Sequence, residues 1–314
     1  MGIAASVLSQ TYPPKSKFHT DHVPDLTGKV IMVTGGSAGI GKDTARVLLA
    51  RNAKVYIASY NADKAAAAIA ELKRDTGKEA VFLKLDLADL PSVKAAAAEF
   101  IEKEPALHVL YNNAGMFVPP IDQLTVQGYD AQFGVHVLGH FYLTQLLLPA
   151  LLAGAKASAD GKARIVNTSS SASITASGIN YGTLKDTSAR KKLGKQGLYA
   201  QSKLGNIMLS NELARRYGEQ GIVSTAVNPG NIKSDIQRHL PPVQKWFLTT
   251  LLLYDPPYGP LTQLWAGTAP EAAALNGKYL IPWARVGTPG KSGRDPKLSQ
   301  ELWTWLEEQV AAYA

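Results

Sequence analysis

A doubly wound α/β fold built on one parallel sheet of about seven strands is what this 314-residue sequence predicts. Three observations carry that expectation. Short β-branched runs alternate with longer Ala-rich segments of helical spacing. Most of the runs are apolar through their middle, as a parallel strand covered on both faces must be. The first run also leads straight into a glycine-rich stretch. Repeated strand–helix–strand order pairs strands in parallel through right-handed crossovers. In such sheets ligands bind at the carboxyl ends of the strands, where the winding reverses.

A polar, Pro-bearing leader occupies residues 1–28. The predicted strands then follow as KVIMVT (29–34), KVYIAS (54–59), AVFLKL (80–85), HVLYN (108–112), RIVNTS (164–169) and IVSTAV (222–227), with KYLI (278–281) as a seventh. Between them, Asp63–Asp75 and Pro91–Lys103 carry helix formers at helical spacing. Asp295–Tyr313 reads as a closing helix, with Pro296 tolerated in its first turn. With neither an interior linker nor a repeat, residues 29–314 read as one domain.

Composition removes several function classes. The apolar share of 46% is that of a globular chain rather than a disordered one. With no cysteine, disulfides and thiolate metal sites are excluded, and the chain suits a reducing, cytoplasmic setting. A net charge of +8 invites a nucleic-acid reading, but Lys and Arg are spread along the chain. Their densest cluster, Arg190, Lys191, Lys192 and Lys195, reads as a solvated Gly- and Ser-containing loop, so no nucleic-acid partner is expected. No uninterrupted apolar run reaches the ~18 residues of a membrane span. The longest, WFLTTLLLY at 246–254, stops at Asp255-Pro256-Pro257. Met1, Gly2 and Ser6 match the N-myristoylation signal, which would add a weak peripheral membrane association.

The stretch TGGSAGIG places Thr34, Gly35, Gly36, Ser37, Ala38, Gly39, Ile40 and Gly41 between the first strand and the first helix. Glycine lets the backbone turn sharply and approach a ligand without an intervening Cβ. A helix opening near Gly41 aims free N–H groups at a pyrophosphate. Farther on, LYAQSKLGN sets Tyr199 and Lys203 one helical turn apart, on one face. An ammonium beside a phenol favours the phenolate and lowers its pKa, which would make a proton donor usable near neutral pH.

Taken together, TGxxxGxG at 34–41, NNAG at 112–115, the serines ending the fifth strand, YxxxK at 199–203 and Pro229-Gly230 resemble the short-chain dehydrogenase/reductases. The resemblance covers about residues 25–285. GHFYLTQLLLP, YAQSKLGN and the long segment between Ser170 and Tyr199 resemble the retinol-dehydrogenase-like branch. The resemblance implies a Rossmann-type domain. It also implies reversible hydride transfer between a nicotinamide dinucleotide and an apolar ketone, aldehyde or alcohol. A dinucleotide-binding regulatory protein with little or no turnover is the alternative. Many relatives form dimers or tetramers, and for this chain monomer and homo-oligomer both stay open.

By match to the family motifs, Tyr199 is the expected general acid in reduction. Lys203 is expected to hold the nicotinamide ribose and depress the Tyr199 pKa. Ser170 is aligned with the serine that bonds the substrate oxygen, ahead of its neighbours Ser169 and Ser171. Gly35, Ser37, Gly39, Ile40 and Gly41 would cradle the pyrophosphate. Asp86 and Leu87, ending KLDL, match the adenine contact, with a helix cap as the plainer role for Asp86. Asn112, Ala114 and Gly115 would lie against the adenosine side. Pro229, Gly230, Ile232 and Ser234 match the stretch that fixes the nicotinamide amide.

Two departures stand out. His136 occupies the position where the family commonly has an asparagine, which puts the expected proton relay in doubt. His136 and His140, four residues apart, suggest a metal pair, but no carboxylate completes the pattern and no metal is expected; a packed, hydrogen-bonded ring is the expectation for His140. After the second strand, Ser59 and Tyr60 stand where an acidic residue would select NAD. The branch's usual arginine is missing too. Ser37, Ser59 and Lys42 could still bond a 2′-phosphate, so NADP is expected and NAD is the alternative. Residues 236–264, with Trp246, Phe247, Leu251, Leu252, Leu253, Tyr254 and Tyr258, would form an apolar substrate lid.

Overall fold

The computed structural model describes residues 3–233 and 253–313. The myristoylation signal at Met1 and Gly2, the Ser234 position and lid residues Trp246, Phe247, Leu251 and Leu252 lie outside them.

Among the described residues one sheet of eight strands runs in the order β3-β2-β1-β4-β5-β6-β7-β8. The strands are β1 Val30–Thr34, β2 Lys54–Ser59, β3 Val81–Lys84, β4 Val109–Asn112, β5 Ala163–Thr168, β6 Ile222–Val227, β7 Tyr279–Ile281 and β8 Arg285–Gly287. All pairs are parallel except β7 with β8. The seven expected strands are present. The eighth is a three-residue antiparallel edge strand, partly exposed, and too short to leave an apolar run. The winding reverses at β1, which lies between β2 and β4.

Side chains alternate across the sheet. Ile31 and Val33 enter the core on one face, with Leu48, Leu72 and Leu264; Met32 enters the other, with Phe100, Phe141 and Trp303. The first face is covered by α2 (Gly39–Ala50), α3 (Ala62–Thr76) and α7 (Leu261–Thr268). The second is covered by α4 (Leu90–Lys103), α5 (Ala131–Ala157), α6 (Ser188–Tyr217) and α8 (Pro296–Val310). Helix α3 shows why these segments are helical. Asn61 caps its first turn by accepting from the Lys64 N–H, Ala65, Ala68 and Leu72 form the buried stripe, and Gly77 ends it in the left-handed region.

The expected leader is packed on this body. Phe18, Val23 and Leu26 are buried in the core around β1 and β2. Helix α1 (Ile3–Thr11) sits beyond the carboxyl ends of β6 and β7.

One expectation is refined and a second is corrected. Helix α5 is long and apolar enough to cross a membrane, although no unbroken apolar run announces it. Two-thirds of its most apolar window is buried inside the protein, so it is a core helix. The basic cluster at 190–195 is not a solvated loop but the first turns of α6, which bends at Gly194. Lys191, Lys192 and Lys195 are exposed. Arg190 is 1% exposed, pairs with Asp130 at 3.0 Å, and donates to the carbonyls of Ile121 and Gln123.

Candidate active site

A cavity of about 690 Å³ opens at the carboxyl ends of the parallel strands, across the point where the winding reverses. Of the expected cofactor and catalytic residues it is lined by Gly35, Ser37, Gly39, Ile40, Gly41, Ser59, Tyr60, Asp86, Leu87, Ala114, Gly115, Ser170, Tyr199, Lys203, Pro229, Gly230 and Ile232. They come from turns and helices up to about 200 residues apart, because each parallel strand delivers its following loop to the same edge.

The floor of the cavity is the β1–α2 turn. Gly35 has φ of +67°, and a Cβ there would lie 2.9 Å from the Ala114 Cα. At Gly41 a Cβ would meet the Gly35 carbonyl at 2.5 Å and the Asn113 amide at 2.6 Å. The glycines therefore permit both the turn and the close approach of the NNAG segment. Helix α2 begins here without a side-chain cap, so its first N–H groups face the cavity floor.

A polar bracket lies behind this turn. Thr34 Oγ1 accepts from the N–H groups of Asn113 and Ala114, both at 2.9 Å, and contacts His140 Nε2 at 2.9 Å. His140 Nδ1 faces the His136 carbonyl at 3.0 Å, which can only accept, so that nitrogen carries the proton. Nε2 is then unprotonated, and the single Thr34 hydroxyl proton is shared between it and the Tyr111 carbonyl at 3.1 Å. Burial pushes the His140 pKa down to about 3, consistent with a neutral ring. The ring is packed and hydrogen-bonded, as expected, and the described residues contain no cluster that could hold a metal.

At the other end of the cavity Tyr199 is half-buried. The Phe117 ring meets it edge-on at 4.7 Å, and the Ser170 hydroxyl acts to lower its pKa. Ser170 Oγ also accepts from the Ala172 N–H. Lys203 Nζ lies 5.7 Å from the Tyr199 ring centre and donates to the Thr168 carbonyl at 2.9 Å, beside Asn206 Nδ2 at 2.7 Å from the same oxygen. Burial pushes the Lys203 pKa down to about 7. Burial also pushes Tyr199 up to about 12, against the lowering effect of Ser170. Burial governs the Tyr199 pKa here, and the expected lowering by Lys203 is not among its causes. Two polar groups share one desolvated wall, and the ammonium spends its hydrogen bond on a backbone carbonyl.

Three further placements depart from the sequence reading. His136 does not line the cavity. It sits in a π-helical stretch of α5 (Gly134–Gly139), fully buried, with both nitrogens engaged. Its Nε2 accepts from the Met116 N–H at 2.9 Å, so Nδ1 carries the proton and donates to Ser202 Oγ at 2.8 Å. Ser202 in turn donates to the Tyr199 carbonyl at 2.8 Å. Burial and the Lys203 charge hold the His136 pKa well below the ordinary imidazole range. Asn112 points away from the cavity, donating to Thr144 and to Asn167 of β5. Its neighbour Asn113 lines the cavity instead and donates to the Thr34 carbonyl at 2.8 Å. Lys42 is engaged by both oxygens of Glu71, each at 2.9 Å.

The sequence reading passed over Asn61 and Lys64, which line the cavity beside Ser59 and Tyr60. The signal lay in the Asn-x-x-Lys spacing at the start of α3, which puts a lysine in the first turn of a capped helix. Asp86 lines the cavity and accepts from the Ala88 N–H in the loop before α4; the N-cap of that helix is Asp89, so Asp86 is not the helix cap offered as its plainer role. Of the expected lid, Leu253 lines the cavity, whereas Tyr254 and Tyr258 pack on Trp283 at 5.2 and 5.0 Å.

Comparison with known proteins agrees with this architecture. The family model described as short chain dehydrogenase matches residues 29–245. A short-chain dehydrogenase/reductase of Armillaria gallica is 52% identical over 313 residues, covering 100% of both chains. Retinol dehydrogenase 12 of Mus musculus is 36% identical over 310 residues, covering 95% of this chain and 92% of the mouse protein. Among solved structures, the NADP active-site complex of Pseudomonas aeruginosa RhlG is similar with a TM-score of 0.65 at 27% identity, over 83% of this chain and 96% of the other. With its sheet order, glycine turn and strand-end cavity, this chain belongs to the short-chain dehydrogenase/reductase family of oxidoreductases, which generally use NAD(P).

Proposed function

We propose that the protein is an NADP-dependent reductase of apolar aldehydes and ketones, able to run in reverse on the corresponding alcohols. The observation that carries this reading is the convergence of Ser170, Tyr199 and Lys203 on the cavity whose floor is the glycine turn. A dinucleotide fits that floor: Gly35, Gly39 and Gly41 line it without side chains, and the first N–H groups of α2 suit a pyrophosphate. Pro229, Gly230 and Ile232 would flank the nicotinamide, and Asp86 and Leu87 the adenine.

NADP is favoured over NAD by the surroundings of Ser59. The Ser37 and Ser59 hydroxyls meet at 3.1 Å, and Lys64 completes a polar corner without a carboxylate that would repel a 2′-phosphate. Lys42, held by Glu71, is the weaker candidate for that contact. The RhlG complex with NADP supports the choice by analogy. The apolar substrate class rests on Phe117, Met116 and Leu253 in the cavity wall, and on the likeness to a retinol dehydrogenase.

When bound, the dinucleotide supplies or accepts the hydride. The protein supplies proton transfer and charge stabilisation. In reduction the Tyr199 phenol gives its proton to the carbonyl oxygen, while the Ser170 hydroxyl donates to the same oxygen as negative charge builds on it. Lys203 would hold the ribose hydroxyls and, when charged, would draw the phenol pKa back toward neutrality. His136 contacts none of these reacting atoms. It fixes the Tyr199 turn through Ser202 and is a positioning residue.

The test follows NADPH and NADH oxidation by the wild type and by Tyr199→Phe on a panel of apolar aldehydes and ketones. Turnover that collapses in the variant, with NADPH the better donor, is the expected result. Equal turnover by both proteins removes Tyr199 from the chemistry.

A further inference from the structure

The segment before the glycine turn reaches the far end of the cavity. Gln10, on α1, is 2% exposed although it lies on a helix outside the sheet. Its Oε1 accepts from Asn228 Nδ2 at 2.9 Å and from the Tyr279 hydroxyl at 3.1 Å, while its Nε2 donates to Ser6 Oγ at 3.1 Å. The orientation of both amides is fixed. Asn228 Oδ1 accepts from the Gly230 N–H at 3.0 Å, so its Nδ2 must face Gln10, and Gln10 must present oxygen to it. One hydrogen-bond chain therefore runs from α1 to the backbone of Gly230.

A second brace arrives beside the first. The Thr11 carbonyl accepts from the Tyr254 hydroxyl at 3.2 Å. Tyr254 pairs by backbone with the same loop, its N–H donating to Asn231 and its carbonyl accepting from Lys233. Arg285 adds a tie to the Ser9 carbonyl at 2.9 Å. Residues Asn228–Ile232 all line the cavity, and α1 holds the loop from Gly230 on one side and from Asn231 on the other.

We infer that α1 is part of the cofactor site and that Gln10 is a positioning residue for the 228–232 loop, setting how tightly the nicotinamide half of the dinucleotide is held. The inference rests on the proposed reading that this loop meets the nicotinamide. Without the Gln10 oxygen, the Asn228 amide and Tyr279 hydroxyl are left as buried donors, and Asn228 relaxes to recover a partner. The Gly230 N–H then loses its fixed acceptor. The adenosine end, formed by the turns after β1, β2 and β3, is untouched.

The experiment measures Kd for NADPH, by its fluorescence, and for adenosine 2′,5′-bisphosphate, by calorimetry, in wild type, Gln10→Met and Gln10→Glu. NADPH should bind Gln10→Met about tenfold more weakly. The bisphosphate, which lacks the nicotinamide half, should bind all three alike. Gln10→Glu should restore NADPH binding, because either carboxyl form offers the oxygen that both donors need. Equal NADPH binding by wild type and Gln10→Met overturns the inference. A parallel loss of both ligands also overturns it, since that marks general loosening. If the wild type binds neither NADPH nor NADH, the cofactor reading itself fails and the inference falls with it. Should Gln10→Met not fold, Tyr254→Phe, which removes only the Thr11 bond, must show the same split between the two ligands.

Discussion

Lys203 gives the folded protein a measurable pH signature. The side chain is 3% exposed, and burial alone pushes its pKa down to about 7, against 10.5 when free. The sign follows from proton counts. At pH 8 the unfolded chain holds the lysine proton and the folded chain has mostly released it, so stability rises with pH. Each pH unit in that window is worth about 1.4 kcal/mol, and the ramp begins at half strength near pH 7. Between pH 7 and pH 9 the gain is therefore about 2 kcal/mol. Higher pH brings an opposing effect. Tyr56, Tyr111 and Tyr279 have phenol pKa values raised by burial, so above about 10 the unfolded chain ionises first and stability falls. The assay is urea unfolding of the cofactor-free protein at pH 7, 8 and 9, in wild type and Lys203→Met. Wild type should gain the 2 kcal/mol and the variant should stay nearly flat. Parallel slopes in the two proteins would refute the argument, because Lys203 would then carry its charge in the folded state. The same measurement bears on the proposed function: a lysine half-neutral at pH 7 favours the Tyr199 phenolate less than a fully charged one does.

Two other perturbations separate scaffold from site. Arg190→Leu leaves Asp130 as an uncompensated buried carboxylate, and should cost about 3–5 kcal/mol in urea unfolding; a loss below about 1 kcal/mol would show the pair to be dispensable. Lys64→Ala should raise KM for NADPH about tenfold and leave KM for NADH unchanged, since a 2′-phosphate is the only chemical difference between them. Equal effects on both cofactors would remove Lys64 from the 2′-phosphate site.

The parts of the fold legible in the sequence are those set by local pattern. KVIMVT and IVSTAV are apolar throughout because both sheet faces are covered, and the strands they announce are β1 and β6. The glycine turn was legible because φ of +67° favours glycine at Gly35, and a Cβ there or at Gly41 would lie within 3 Å of its neighbours. What escaped depends on partners distant in sequence. Arg190 looks like one of four surface cations until Asp130, sixty residues earlier, is packed against it. Asn112 and Asn113 differ by one position at the end of a strand, and that one position decides which points toward the cavity. Gln10 reads as a leader residue, yet the two groups that donate to its Oε1 lie 218 and 269 residues away. The Tyr199–Lys203 spacing predicts their proximity correctly. It could not predict that burial would push both groups toward neutrality.

The two histidines of α5 show how far a shared spacing can mislead. Four residues apart on a helix, they resemble a ligand pair, yet each ring spans its own two partners. An imidazole suits such a bridge because one nitrogen donates while the other accepts, at opposite sides of a rigid ring. His140 ties α5 to Thr34, and through it to the NNAG backbone under the glycine turn. His136 ties the same helix to Met116 and, through Ser202, to the backbone of Tyr199. A bond from the His140 ring to the His136 carbonyl joins the two bridges within the π-helical stretch. Both rings are held neutral by burial, so the bridges stay intact across the pH range in which Lys203 changes charge. One irregular stretch of α5 thus fixes the floor beneath the proposed pyrophosphate site and the turn that carries the proposed proton donor, at opposite ends of a single cavity.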